Sequence, residues 1–97
     1  MDLKLGVAYG SDVDKVNLAI QSVLDERELI LHDEGYTVRL LEHGASSLDF
    51  VCRCWVNNAD YRTVYYDVNE RIVKRFAEEG IQMPYNTVDV NIVPAKP

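Results

Sequence analysis

The first candidate for chemistry is the run Gly6-Val7-Ala8-Tyr9-Gly10-Ser11-Asp12-Val13-Asp14-Lys15-Val16. An apolar strand pattern enters a Gly-Ser-Asp turn there, and a helical pattern starts at once. That is the shape of a phosphate-binding loop, in which a helix N-terminus faces the anion. The residues do not supply the chemistry. The run holds neither GxGxxG nor a lysine followed by Ser or Thr, and Asp12 and Asp14 put negative charge where a phosphate would sit. Helix capping explains the same residues more simply. Ser11 is expected to accept a backbone N–H, and the two aspartates suit the positive end of the helix dipole.

The second candidate is Cys52-Arg53-Cys54. Two thiolates at i and i+2 on a strand face the same way and could share an ion, but a closed zinc site needs two more ligands. His32 and His43 are the only histidines, and neither has a partner at ligand spacing. Cys52 and Cys54 alternate with Arg53 between Phe50 and Val56, on the side that wants burial, so both are expected to be reduced, buried and metal-free. No serine lies in a nucleophile-elbow motif and no Cys-His pair is evident. Asp25, Glu26, Glu28, Glu78 and Glu79 read as solvated helix surface. No catalytic residue, cofactor or metal is therefore assigned. Arg53 beside Trp55 could bind an anion, stack on the indole, or form a salt bridge or an intersubunit contact.

Composition narrows the partners. Ninety-seven residues make one small domain with one modest core. The formal net charge of −6 leaves no basic stripe for nucleic acid or an anionic membrane surface. No apolar run approaches the ~20 residues of a membrane span, and the first residues lack the basic flank and apolar core of a signal peptide. Two cysteines one residue apart give no sign of an oxidising compartment.

The elements that must carry these residues follow from hydrophobic period. Leu3, Leu5, Val7 and Tyr9 alternate as a half-buried strand. Val13, Val16, Ile20, Val23, Leu24 and Leu31 fall on one helical face, with an end expected between Leu31 and Gly35. Tyr36 to His43 reads as a strand, Gly44 to Ser47 as a turn, and Leu48 to Val56 as the strongest strand, making an antiparallel hairpin. Asp60 is expected to cap a second helix whose buried face is Tyr61, Val64, Tyr65, Val68, Ile72 and Phe76, closed by Gly80. Ile81 to Tyr85 reads as a short edge strand, and Thr87 to Val93 as a further alternating segment.

The order β-α-β-β-α-β predicts an α+β class of ferredoxin-like type, two helices on one face of an antiparallel sheet, plus a C-terminal strand. Residues 1–85 form the α/β domain and 86–97 a terminal strand and tail. The expected outer faces carry apolar residues: Leu18 and Leu29 on the first helix, Tyr66, Val73 and Ala77 on the second, Val51 and Trp55 on the uncovered sheet face. Such residues on three separate elements point to self-association or another partner.

Gly6-Val7-Ala8-Tyr9 with Ser11-Asp12, Thr37-Val38-Arg39-Leu40, Gly44-Ala45-Ser46-Ser47 into Phe50-Val51, Arg53 and Trp55 form an ordered set. Tyr65, Asp67, Val68, Glu70-Arg71-Ile72, Gly80-Ile81, Pro84-Tyr85 and Asp89-Val90-Asn91 continue it. In that order, over nearly the whole chain, it resembles the cytoplasmic C-terminal region of the small-conductance mechanosensitive channel family. The resemblance implies a non-enzymatic domain, one of the subunits of a homo-heptamer around a hollow vestibule, with side openings for solutes. A terminal strand from each chain joins an intersubunit barrel. The full-length channel sits in the cell inner membrane, with this domain on the cytoplasmic side. It opens under membrane tension and releases ions and small osmolytes on osmotic downshock.

The chain matches the part of the family that follows the transmembrane region, so a soluble fragment that does not itself conduct is implied. Val51, Arg53, Trp55, Leu18, Leu29, Tyr66 and Val73 then become residues of a subunit interface or vestibule wall, joined by Val88, Val90 and Ile92 in the terminal strand. Two rival readings remain from the fold class alone. A small-molecule-sensing regulatory domain needs a ligand crevice with convergent polar groups. An acylphosphatase-like enzyme needs an arginine in an anion-binding loop, which the acidic first turn opposes.

Overall fold

Alternation along Leu48–Cys54 decides the architecture, because every second side chain of that strand is buried. The computed structural model describes residues 1–84; Tyr85 and residues 86–97, with the expected strand Thr87 to Val93, lie outside the described residues. The elements are β1 (Asp2–Val7), α1 (Val13–Glu26), β2 (Tyr36–His43), β3 (Leu48–Cys54) and α2 (Tyr61–Glu79). Single 3-10 turns cover His32–Glu34 and Asn58–Asp60.

β3 is the centre of a three-stranded antiparallel sheet of order β1-β3-β2. Its register aligns Leu5, Phe50 and Leu40 in one row and Leu3, Cys52 and Val38 in another. These rows face Val16, Ile20, Val23 and Leu24 of α1 and Val64, Val68, Ile72 and Phe76 of α2 in a single apolar core. A register shift between Leu40 and Glu42 turns Leu41 out to solvent.

Helix starts and stops differ from expectation at several points. Asp12, not Ser11, caps α1: its Oδ1 accepts from the backbone N–H of Asp14 at 2.9 Å and Lys15 at 3.3 Å. The Ser11 hydroxyl instead donates back to the Ala8 carbonyl at 2.7 Å. α1 stops at Glu26, a turn before the expected end, because Arg27 is extended and Ile30 forms a bridge with Val56. Leu29 thus lies beyond the helix, and Leu31 is exposed instead of buried. Gly35 closes the 3-10 turn instead of α1. Asp60 stands at the start of α2 without a side-chain capping bond, since its backbone closes the preceding 3-10 turn.

The other end of α2 follows the sequence. Gly80 takes φ 73, with its N–H on the Ala77 carbonyl at 3.3 Å and that of Ile81 on Phe76 at 2.9 Å. Residues 81–84 of the expected fourth strand form no strand. The Ile81 donor is spent on closing α2 and Pro84 has none, so beside the buried Ile81 side chain this segment is tied by the N–H of Ala8, just past β1, donating to the Gln82 carbonyl at 2.8 Å.

Candidate functional site

The sheet face away from the helices is built in cross-strand rows: Asp2, Arg53, Thr37, then Lys4, Val51, Arg39, then Gly6, Asp49, Glu42. Arg53 is not free to bind an anion here. Its Nε donates to Asp2 Oδ1 at 2.8 Å and its Nη2 to Oδ2 at 3.2 Å, a bidentate pair. That bond holds the Asp2 carboxyl below its ordinary range and raises the Arg53 guanidinium. Val51 between them is half-buried. Trp55, just past β3, is 55% exposed, and its carbonyl accepts the Leu31 N–H at 2.8 Å. Leu31 and Trp55 therefore form an exposed apolar pair at one end of the sheet.

The helical side carries the other candidates. Leu18 is 65% exposed and borders an open groove of about 460 Å3 between α1 and α2, lined also by Lys15, Ala19, Ser22 and Arg75. On α2, Tyr66 and Val73 are exposed and two helical turns apart, so they share a stripe. Tyr65 stacks on Tyr61 with ring centroids 6.1 Å apart. Leu29 is half-buried and packs against the core, so it offers little outer surface. Val88, Val90 and Ile92 lie outside the described residues. The candidates thus fall on two sides of the domain, the open sheet face and the outer helix faces, and not in one cleft.

The chemically suggestive residues are quiet. Cys52 and Cys54 are free and fully buried. Burial, and then the neighbouring Cys54, push the Cys52 thiol up to about 12, and burial raises that of Cys54. Neither is a ready thiolate at neutral pH. Among the described residues no cluster of His, Cys, Asp or Glu could hold a metal ion. His32 places Nε2 at 2.9 Å from the Arg27 carbonyl, and His43 is exposed at the end of β2. The Tyr36 hydroxyl donates to Asp25 at 2.8 Å; burial first, and that bond second, raise it to about 12.

Sequence reasoning missed one charged assembly. Asp67 Oδ2 meets Arg27 Nε at 2.8 Å and Arg71 Nε at 2.9 Å, while Glu26 meets Arg75 at 2.7 Å and Arg71 at 3.5 Å. Arg75 also donates to Ser22 Oγ. Arg27 Nε and Asp67 Oδ2 are buried atoms without an aligned hydrogen bond, so their contact is an ion pair and no more. The one local signal was the i,i+4 spacing of Asp67 and Arg71. The remaining partners come from α2 and from the end of α1 with Arg27 beyond it, which no spacing reveals.

The described residues contain no helix long and apolar enough to cross a membrane. Residues 1–83 match the family model described as "Mechanosensitive ion channel MscS, C-terminal". The chain is 41% identical over 95 residues to the small-conductance mechanosensitive channel of Edwardsiella ictaluri, covering 98% of this chain and 33% of that protein. It is 30% identical over 91 residues to the mechanosensitive channel MscK of Escherichia coli, covering 93% of this chain and 8% of that one. The crystal structure of Helicobacter pylori MscS in the closed state superposes with a TM-score of 0.84 at 30% identity, over 98% of this chain and 38% of that chain. The chain therefore spans about a third of the length of the first of these relatives. The matched proteins are named as channels, not as a class of enzyme. Agreement of sequence and backbone along the same residues makes this chain a member of the MscS mechanosensitive channel family, corresponding to its C-terminal domain.

Proposed function

We propose that the chain forms the cytoplasmic cage of a membrane-tension-gated channel that releases ions and small osmolytes on osmotic downshock. The observation that carries this reading is the match of residues 1–83 to the family's C-terminal domain, with the backbone following that of a closed MscS. In this role the domain does not conduct. It surrounds the path below an inner-membrane pore as a homo-heptamer and screens what approaches it.

The exposed residues acquire uses in that arrangement. Trp55 and Val51 on the open sheet face, and Leu18, Tyr66 and Val73 on the helices, meet neighbouring subunits or line the vestibule. Arg53 stays in its pair with Asp2 and sets the polarity of that face. Residues 1–85 are the folding unit, and Val88, Val90 and Ile92 of the segment after it join copies of themselves.

Light scattering of the purified protein across concentration tests the assembly. The expected outcome is reversible formation of a homo-heptamer that Trp55→Ser weakens about tenfold or more, as loss of an aromatic anchor should. A strict monomer at every concentration, or an oligomer indifferent to Trp55, Tyr66 and Val73 replaced together, would contradict it.

A further inference from the structure

We propose that the seam between α1 and α2 is an ionic-strength-dependent clasp, tighter as salt falls. Among the described residues every ion pair except Arg53–Asp2 belongs to this seam or to α2 beside it. The pairs run as a chain: Arg27 to Asp67, Asp67 to Arg71, Arg71 to Glu26, Glu26 to Arg75, and Arg75 to Glu78.

Three features make this chain respond to mobile ions. The last turn of α1 is electrostatically self-opposed: it holds Asp25 and Glu26 and no basic residue, against the negative end of the helix dipole. Its compensation comes from Arg27 at the C-cap, which Asp67 of α2 holds, and from Arg71 and Arg75 of the other helix, so the end of α1 depends on the seam. Second, the contacts of Glu26 with Arg75 and Arg71 are made by side chains open to solvent, and the Coulombic part of such a contact is what salt screens, whereas Asp67 Oδ2 and Arg27 Nε are buried and screened least. Third, the outer end of the chain is the most open to solvent, the Glu78 side chain above all and then Glu26 and Arg71, so ions reach it there.

The screening length is about 10 Å at ~0.1 M salt, longer than any of these contacts, and about 3 Å at ~1 M, the length of one contact. The response is therefore graded over the range in which a cell is diluted. Arg75 also borders the open groove beside Leu18, so loosening the clasp frees a wall of that groove. The regulatory meaning rests on the channel reading above: dilution on downshock would stiffen the domain while the channel is working. The salt response itself does not rest on that reading.

Amide hydrogen exchange of the 97-residue protein in ~0.05 M and ~1 M potassium chloride tests the clasp. Protection of the last turn of α1 should fall about two- to fivefold in the parent at high salt, the response of a few partly exposed pairs. Glu26→Gln should begin less protected and lose less than half as much. Asp67→Asn serves as the second variant should the first fail to fold. Salt also relieves the repulsion of the net charge of −6, which either seam variant changes by one charge to −5 and Arg53→Gln by one to −7, so a loss of more than half the response in the seam variants exceeds what net charge explains. Arg53→Gln, away from the seam, should respond as the parent does, and sucrose of equal osmolality should not reproduce the effect. Equal salt dependence in the parent and both seam variants, or unchanged protection in the parent, would overturn the proposal. Loss of osmotic rescue by a channel carrying this domain would bear on the channel reading alone.

Discussion

Replacing Phe50 with alanine removes a phenyl ring that the structure buries completely. The ring stands at the centre of the middle strand, in register with Leu5 on one side and Leu40 on the other, beneath both helices. The loss combines the transfer free energy of the ring with the cavity it leaves, about 3–5 kcal/mol. A small domain holds roughly 5–15 kcal/mol in total, so a large share of the stability goes. With a denaturant slope of about 1–1.5 kcal/mol/M, near the low end for small proteins, the urea midpoint should drop by about 2–5 M. Val51→Ala is the comparator, since Val51 is the next residue, half-buried and on the opposite face. It should cost about 1 kcal/mol or less. Far-ultraviolet circular dichroism in urea reads both. A Phe50→Ala midpoint equal to that of the parent, or an equal drop for Val51→Ala, would refute the face assignment of β3 and with it the identification of the outward surface.

Stability of the parent should fall as pH rises from about 9 towards about 12. The buried Cys52 thiol stays protonated up to about 12 in the fold but ionises from its ordinary value of 9.0 once unfolded, so its contribution is complete below the lower value and lost on approach to the higher. Cys52→Val should flatten that loss, read by urea midpoints at graded pH, and the purified protein should contain no stoichiometric zinc. Asp12→Ala should cost about 0.5–2 kcal/mol through the α1 cap, measured by thermal unfolding. Gly44→Ala should destabilise by about 1–3 kcal/mol in the same assay, because a Cβ there would stand 2.9 Å from Asp49 Oδ2 and 3.2 Å from the Ser47 carbonyl. Deleting the residues after Tyr85 should leave a folded domain and weaken the oligomer; an unfolded product would refute the division at that residue.

The core was legible where period places it, although Tyr61, expected on the buried face of α2, is exposed at the first turn. Phe50, Cys52 and Cys54 alternate on β3, and Val64, Val68, Ile72 and Phe76 recur at helical spacing, and all are buried. The end of α1 was not legible, because Leu29-Ile30-Leu31 continues the apolar rhythm of a helix with no Gly or Pro to stop it. What stops it is a tertiary contact, the bridge of Ile30 to Val56. Ser11 and Asp12 are both good capping residues, and only the backbone geometry chooses Asp12. Arg53 was singled out correctly as a residue of the open face, but its partner Asp2 lies on another strand, 51 positions away. The acidic residues of the helices were read as solvated, which suits Glu78 and misses Glu26, whose arginines come from α2. Exposure of Trp55, Leu18, Tyr66 and Val73 was legible, whereas what they face in an assembly depends on neighbours that no single chain contains.

The most direct test of the channel reading is an exchange of domains. A small-conductance mechanosensitive channel whose own C-terminal domain is replaced by this chain should be expressed in cells that lack mechanosensitive channels. Survival of osmotic downshock, with tension-activated currents in membrane patches, is the expected result. Full expression and membrane insertion with neither rescue nor tension-activated current would contradict it.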